Sequence, residues 1–219
     1  MKHKFYLLLA LILLFSACND TPTEKEALAP IPKASSNNNT LPQSDKVTQS
    51  IKIPKSTIIK PPSKEYTFTF EDLQGQTSTL KMKDDVYRFS NIQQPIVMLT
   101  LFSTWCPPCR GQIPHLSNLQ NKFKKHLFII GALVHDDIKD DAFQKFINAE
   151  KALFFISKNQ KENLKFAYMI TPKLRLDKEF PMPLMILFFK GKYFTHYEGS
   201  MPEEMIESDI EQLLLKLNN

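Results

Sequence analysis

Glycine, cysteine and long apolar runs are scarce in this chain. Only five of its 219 residues are glycine, which excludes a collagen-like repeat, and a hydrophobic fraction of 42% excludes a wholly disordered chain. The longest uninterrupted apolar run, residues 5–15, has 11 residues, whereas a helix that spans a bilayer needs about 20. The length predicts one folded domain with appendages.

Excess positive charge is absent from the main part of the chain, although the formal net charge is +5. Residues 1–62 carry eight lysines against four acidic residues, and residues 63–219 carry 20 basic and 19 acidic residues. Binding to nucleic acid needs a clustered basic face. We therefore predict no nucleic-acid partner for this protein.

The first residues have the pattern of an export signal. Lys2–Lys4 precede the apolar run Phe5–Phe15, and two small residues then lead directly to Cys18. This order is typical of a secretory signal peptide, and its end resembles the bacterial lipobox, whose cysteine is lipidated and becomes the first mature residue. We predict a signal peptide at residues 1–17 and a lipid anchor to a membrane at Cys18. An ordinary cleaved signal with an unrelated cysteine is the alternative.

Residues 18–62 have the composition of a spacer. They contain 7 of the 15 prolines, a polar run at residues 35–40 and no aromatic residue. Such a segment cannot bury enough apolar surface to offset its conformational entropy, and its prolines favour an extended chain. We predict a flexible tether over residues 18–62 and one folded domain over residues 63–219.

The folded domain shows alternating strand-like and helix-like patterns. Strands are predicted at Tyr66–Phe70, Gln76–Leu80, Ile96–Phe102, Leu127–Val134, Leu153–Ile156, Leu184–Phe189 and Tyr193–Glu198. Helices are predicted from Cys106 to about Lys125, from Asp140 to about Lys151, at Lys161–Met169 and at Glu203–Leu217. Asp140 or Asp141 is expected to cap the second helix, and Ser200 with Glu203 forms a capping box before the last. This order predicts an α/β fold of three layers with a mixed central sheet.

The chemistry of the domain is concentrated in the segment from Trp105 to Cys109. Cys106 opens a predicted helix, where unpaired N–H groups and the helix dipole stabilise a thiolate and lower the pKa of the thiol well below about 8.5. Cys109 lies one helical turn further on, a spacing that permits a disulfide. We predict that Cys106 is the exposed attacking thiol and that Cys109 resolves the mixed disulfide. Pro107 and Pro108 fit the first turn and remove two backbone donors.

Two other interpretations of the CxxC pair are weaker. A structural zinc site needs four ligands, and once Cys18 is lipidated no second cysteine pair remains, so we predict no metal. A purely structural disulfide at this spacing closes too small a loop to constrain the unfolded chain much. The sequence His135–Asp137 follows a predicted strand and is interpreted as a polar loop or helix cap.

The segment Ser103–Arg110, followed by Ile113 and Pro114, resembles the thioredoxin fold and, more narrowly, the TlpA/ResA/CcmG group of membrane-tethered thiol–disulfide oxidoreductases. Residues 72–80 resemble the N-terminal β-hairpin extension of that group. The long interval from Cys109 to Pro183 fits its inserted strand and helix. The resemblance covers roughly residues 64–217 and implies a redox-active disulfide between the two cysteines, with no further cofactor.

The resemblance also implies a cis-proline opposite the CxxC pair. Pro183, which directly precedes an apolar strand, is preferred over Pro181 for this position. The backbone of Met182 is then expected to pair with a substrate peptide, as an added strand does. The residues expected to bind substrate are Trp105, Pro107, Pro108, Met182 and Pro183.

The chain departs from thioredoxin at the buried acid that assists proton transfer to the second thiol. The corresponding position here is Thr100. Gln112 stands where some relatives have glutamate. Glu179, near the proline loop, is a candidate substitute, and otherwise solvent or the substrate carries the proton.

The sequence thus predicts an extracytoplasmic or periplasmic enzyme that reduces disulfides in exported cysteine-containing proteins, apocytochrome c among them. The resemblance implies a membrane electron donor of the DsbD/CcdA type. Two alternatives stay open: a disulfide-forming oxidase of the same fold, and a surface lipoprotein that binds a partner without turnover.

Overall fold

The computed structural model describes residues 64–217. Its strands are β1 Tyr66–Glu71, β2 Thr77–Lys83, β3 Val86–Phe89, β4 Ile96–Phe102, β5 Leu127–Leu133, β6 Phe155–Ser157, β7 Leu184–Phe189 and β8 Lys192–Glu198. Its helices are α1 Pro107–Lys122, α2 Asp140–Ala149, α3 Gln160–Ile170 and α4 Glu203–Leu215, with a short 3₁₀ helix at Thr171–Leu174. The predicted signal peptide at 1–17, the tether at 18–62 and the domain boundary at 63 lie outside the described residues. Across residues 64–217, none of the helices has the length and apolar character needed to cross a bilayer.

The strands form one mixed sheet in the order β1-β2-β3-β8-β7-β4-β5-β6. Strand β4 is parallel to β5 and antiparallel to β7, and β5 is parallel to β6. Helices cover both faces of its central part, because side chains from the sheet pack against α1 and α4 on one face and against α3 on the other. The predicted α/β fold with a mixed central sheet is confirmed.

Strand β4 is buried along its whole length because both of its faces are covered. Ile96 and Met98 face the cluster formed with α1 and α4, whereas Leu99 and Leu101 face the cluster formed with α3 and the N-terminal hairpin. Burial of each such side chain contributes about 1.5–3 kcal/mol relative to exposure. The strand therefore provides a rigid support for the loop that follows Phe102.

Strand β3 is an additional strand that the sequence analysis does not predict. The predicted strands and helices are all present, and their ends lie within about three residues of the expected ones. It has only four residues, so too few positions alternate for a period of two to be recognised. Its Val86 pairs with Lys192 of β8, and this pairing joins the N-terminal hairpin to the central sheet.

The predicted cap of helix α2 is wrong. Lys139, and neither Asp140 nor Asp141, occupies the N-cap position, and no side chain caps this end. Asp140 lies in the first turn instead, where its carboxylate is 2.6 Å from Lys158 Nζ. An acidic residue there still interacts favourably with the positive end of the helix, which explains why an aspartate pattern marks the start of α2.

The predicted capping box before α4 is also wrong. Pro202 is the N-cap of this helix, and it offers no side-chain cap bond. The hydroxyl of Ser200 donates instead to Gln112 Oε1 of α1 at 3.1 Å. A local capping bond is thus replaced by a bond between the loop before α4 and α1.

The parallel pair of β4 and β5 places two loops side by side. Phe102 is in register with Leu133, and Val134 N–H donates to the carbonyl oxygen of Phe102 at 2.9 Å. The loop that leads to Cys106 therefore runs next to the loop that contains His135–Asp137. Contacts between these two loops position the CxxC segment.

Candidate active site

Cys106 and Cys109 form a disulfide at the start of α1, with their Cα atoms 5.3 Å apart. Cys106 is the N-cap residue, and Cys109 N–H donates to its sulfur at 3.3 Å. Pro107 and Pro108 occupy the first two helical positions and are exposed. Cys106 therefore opens the helix as the sequence predicts, and its sulfur lies at the positive end of the helix dipole.

The expectation that Cys106 is an exposed residue is not met in this disulfide-bonded form. Cys106 is 4% exposed and Cys109 is 1% exposed. The sulfur of Cys106 lies 3.8 Å from the carbonyl oxygen of Met182, and both cysteines belong to an apolar cluster with Phe102 and Phe143. The neighbouring loop and this cluster cover the pair, although Cys106 remains the less buried of the two.

The loop that covers Cys106 contains a cis peptide bond between Met182 and Pro183. The preference for Pro183 over Pro181 as the cis residue is therefore confirmed. Pro183 is buried at the start of β7, and Met182 is half-buried beside the disulfide. The sulfur of Met182 also lies 3.6 Å from the hydroxyl oxygen of Ser103, so this loop contacts both Cys106 and the chain three residues before it.

Asp136 fixes the loop just before Cys106. Its Oδ2 accepts hydrogen bonds from both the N–H and the hydroxyl of Thr104, each at 2.6 Å, and its Oδ1 accepts from Ile138 N–H at 3.1 Å. The side-chain amide of Gln160 in turn bonds to the backbone of Asp136, accepting from its N–H at 2.9 Å and donating to its carbonyl oxygen. Asp136 is only 7% exposed, so these charge-assisted bonds are protected from water.

Trp105 stands beside the disulfide with 61% of its surface exposed. Its indole N–H donates to the backbone carbonyl oxygen of His135 at 2.8 Å, which fixes the ring against the same loop that holds Thr104. Trp105 therefore lies at the exposed edge of the disulfide site, and much of the surface of its ring is accessible to solvent.

Among the described residues, no hydrogen bond joins any of the proton-transfer candidates to a cysteine sulfur. Thr100 is 2% exposed, and its hydroxyl has no hydrogen-bond partner within the described residues. Gln112 is fully buried, and its side-chain oxygen accepts from Ser200 Oγ and from Met201 N–H. Glu179 is exposed and lines a cleft beside the disulfide. Gln112 therefore anchors the loop before α4.

His115, about two and a half turns beyond Cys106 on α1, belongs to a helix–helix contact. Its Nδ1 lies 2.9 Å from Glu203 Oε2 of α4, and Asn118 Nδ2 donates to the same oxygen at 3.1 Å. Burial raises the pKa of the Glu203 carboxyl, but the hydrogen bonds from His115 and Asn118 outweigh it and hold that pKa below its ordinary value. The pair holds α4 against the helix that carries the disulfide.

Between residues 64 and 217, no three His, Cys, Asp or Glu side chains form a cluster suited to a metal ion. The carboxylate of Asp136 is already occupied by Thr104 and Ile138, and the ring of His135 packs near Tyr168 and Phe180. The segment is a polar loop, as its position after a strand indicates.

Two contributors to the site carry no signal in the sequence. Gln160, the first residue of α3, supports Asp136, and Tyr168 of the same helix lines the cleft beside Trp105. Both belong to the segment between β5 and β7, so their role depends on how that segment folds back. The length of the interval predicts an additional strand and helix but not their contribution to the site.

Known proteins are similar to this chain in sequence. The AhpC/TSA family model matches residues 67–192. The chain is 27% identical over 145 residues to the thiol-disulfide oxidoreductase ResA of Halalkalibacterium halodurans, which covers 66% of this chain and 72% of that protein. It is 24% identical over 147 residues to ResA of Bacillus thuringiensis, with 67% and 74% covered.

A solved structure has the same fold. A thioredoxin-family thiol:disulfide interchange protein from Chlorobium tepidum superposes with a TM-score of 0.53 at 14% identity, covering 68% of this chain and 93% of that one. The resemblance to the TlpA/ResA/CcmG group is confirmed, and the protein is a thiol–disulfide oxidoreductase. Because the family model spans more than half of its length, the chain belongs to the AhpC/TSA family.

Proposed function

We propose that this protein reduces disulfide bonds in exported, cysteine-containing proteins outside the cytoplasm, with Cys106 as the attacking sulfur and Cys109 as the resolving sulfur. The position of Cys106 Sγ carries the proposal. This sulfur caps α1, accepts the N–H of Cys109 at 3.3 Å and lies 3.8 Å from the carbonyl oxygen of Met182. A helix N-terminus favours the anionic thiolate, and an adjacent backbone carbonyl is available to an incoming extended peptide.

The reaction transfers two electrons from the protein to its substrate. The Cys106 thiolate attacks one sulfur of the substrate disulfide, forms a mixed disulfide and releases the other sulfur as a thiolate. The Cys109 thiolate then attacks the Cys106 sulfur, which releases the second substrate thiolate and leaves the disulfide seen here. The proton of the Cys109 thiol passes to Glu179, to the solvent or to a released substrate thiolate, because neither Thr100 nor Gln112 has a titrating side chain that could accept it.

The exposed rim of the site is the proposed docking surface. Trp105, Pro107 and Pro108 are exposed on the side of Cys106, and the Met182–Pro183 peptide closes the other side. Proline and a fixed indole lose little conformational entropy when a partner docks. The arrangement suits a polypeptide substrate, which has a backbone to pair with Met182.

A membrane location is part of the proposal. The basic residues 2–4, the apolar run 5–15 and Cys18 support export followed by lipid anchoring. A membrane dithiol donor of the DsbD/CcdA type would return two electrons to the Cys106–Cys109 disulfide after each turnover. Substitution of Cys18 by serine should move the protein from the membrane fraction to the soluble exported fraction, and continued membrane association would contradict the anchor.

Trapping identifies the substrates. The variant Cys109→Ala lacks the resolving sulfur, so exported proteins should accumulate as mixed disulfides with Cys106, and mass spectrometry of the trapped species names them. The matched control is the double variant Cys106→Ala/Cys109→Ala, which should trap nothing. If Cys109→Ala forms no adduct while Cys106 is kept reduced, the proposed roles of Cys106 as attacking sulfur and Cys109 as resolving sulfur are overturned. Recovery of apocytochrome c would assign that substrate.

The direction of electron flow needs its own measurement. Equilibration with glutathione gives the reduction potential of the Cys106–Cys109 pair. A potential near that of thioredoxin, about −270 mV, is expected for a reductase. A potential of about −120 mV, typical of strong oxidants, would overturn the reductase assignment in favour of a disulfide-forming oxidase.

A further inference from the structure

A cleft of about 450 Å³ opens next to the disulfide. Its walls are mostly aromatic and are formed by Trp105, His135, Tyr168, Phe180 and the side chain of Met182. The ring centroid of His135 lies 6.3 Å from that of Tyr168 and 6.4 Å from that of Phe180, which are ordinary separations for interacting rings. We call this feature the aromatic cleft.

Two of its walls are large aromatic side chains exposed to solvent. Trp105 is 61% exposed and Tyr168 is 46% exposed. The only donor of the indole is already bonded to the carbonyl oxygen of His135, so the ring has no remaining polar group to hydrate. Exposed apolar surface that borders a cleft is typical of a site that another molecule covers.

The rim of the aromatic cleft carries one charge of each sign. Lys178 and Glu179 both line it, and both are exposed. Because the two charges are opposite, a charged side chain of either sign would meet one attractive and one repulsive neighbour, and the pair gives no net preference for a sign. An uncharged ring packs against the aromatic walls without such a conflict.

The aromatic cleft is continuous with the redox site. Trp105 directly precedes Cys106, and Met182, whose carbonyl oxygen is 3.8 Å from the Cys106 sulfur, contributes its side chain to the cleft. A polypeptide whose cysteine reaches Cys106 therefore places its neighbouring side chains at the mouth of the cleft. Extended residues advance only about 3.3 Å each, so the occupant must be close in sequence to that cysteine.

We propose that the aromatic cleft binds an uncharged aromatic side chain of the substrate, near the cysteine that Cys106 attacks, and so selects among disulfides. The inference rests on the proposed reductase function. Tyr168 is the residue that tests this preference, because it lines the cleft from helix α3 and makes no described contact with either cysteine. The aromatic cleft thus makes the protein reduce disulfides with a neighbouring aromatic residue in preference to other disulfides.

The test compares two symmetric peptide disulfides. Each is a disulfide-linked dimer of one short peptide whose single cysteine is flanked by either phenylalanine or serine. The Cys106 thiolate displaces one peptide thiolate, Cys109 displaces the other, and two peptide thiols are released per protein disulfide formed. We expect the reduced protein to react about three- to tenfold faster with the phenylalanine dimer, the range that one aromatic contact provides.

Three variants complete the test. Tyr168→Ala should bring the ratio of the two rates close to one, and Tyr168→Phe should keep the preference because it retains the ring. Tyr193→Ala removes a comparably exposed tyrosine, 41% exposed on β8, and should also keep it. Equal rates with the unaltered protein, or an unchanged preference in Tyr168→Ala, would overturn the inference while leaving the reductase function intact. Failure to reduce either peptide would overturn that function and the inference with it.

Discussion

The two opposite ends of the sheet carry loops whose acidic residues have very different surroundings. Beyond Phe102, the carboxylate of Asp136 is 7% exposed and holds Thr104 by two hydrogen bonds of 2.6 Å. At the opposite end, the β2–β3 turn meets the β7–β8 turn, and the carboxylate of Asp85 lies 2.6 Å from Lys173 Nζ with 74% of its side chain exposed. We call the first region the redox end and the second the far turns.

Burial decides what each carboxylate contributes. Removing a buried acceptor leaves its donors unpaired and costs the full desolvation free energy of those donors. Removing one partner of an exposed ion pair costs little.

Cavity size does not distinguish the two regions in the same way. The far turns border the larger cavity, about 630 Å³, while the aromatic cleft at the redox end is about 450 Å³. None of the described residues lining the larger cavity is a cysteine. Chemistry and burial locate the site better than volume does.

The largest effect is expected from Asp136→Ala. Loss of the carboxylate leaves the N–H of Thr104 without its acceptor and frees the loop that presents Cys106. A small displacement of a reacting group is expected to lower kcat/KM for disulfide reduction about ten- to hundredfold. Unfolding in urea should show a loss of about 1–3 kcal/mol, so activity is measured where the variant stays folded.

Two further variants separate positioning from general destabilisation. Asp137→Ala removes the same charge one residue away, at an exposed site, and should leave activity unchanged. Asp136→Asn keeps one oxygen acceptor and should restore part of the rate. The dependence on this carboxylate would be contradicted by a folded Asp136→Ala protein with two unaltered rates. These are the rate at which an added reagent alkylates Cys106 and the rate at which the protein reduces substrate.

The features of the redox end that the sequence predicts are local ones. The apolar run of β4, the two prolines of the first helical turn and the cysteine spacing all lie within fifteen residues, and each has a direct physical consequence for the backbone. The strand, the start of α1 and the disulfide geometry follow from them. The cis peptide at Pro183 was expected from family resemblance, since nothing near that residue requires it.

The features that could not be predicted depend on contacts between distant residues. Thr104 and Asp136 are 32 residues apart and meet only because β4 and β5 pair in the register that sets Phe102 beside Leu133. The cover over Cys106 comes from Met182, 76 residues away. Periodicity predicts which elements form, but it does not predict the register or which loop folds over which.

A loss of stability without a loss of activity is expected at the far turns. Gly191 has φ +72, and a Cβ there would lie 2.7 Å from the backbone oxygen of Tyr87. Gly191→Ala should therefore lower the free energy of unfolding by about 3 kcal/mol, combining left-handed strain with a backbone clash. The rate of disulfide reduction per folded molecule should not change.

Gly75 provides the matched control for that substitution. It has φ +76, but no atom lies within 4 Å of an added Cβ. Gly75→Ala should lower the free energy of unfolding by about 1 kcal/mol, because only the strain of a left-handed alanine is added. Equal losses for the two alanine variants in urea unfolding would mean that the close approach to Tyr87 contributes nothing.

The smallest effect is expected from Asp85→Asn, the direct counterpart of the substitutions at Asp136. Asparagine tolerates the positive φ of 59 at this position, so the change removes only the charge. The Lys173 partner is 39% exposed, and exposed pairs of this kind contribute less than about 1 kcal/mol. The free energy of unfolding should fall by no more than about 0.5 kcal/mol, and less at high salt, with unaltered kcat/KM. A larger loss of stability would mean that exposure does not explain the difference between the two carboxylates. A loss of activity would mean that the far turns are coupled to the redox end.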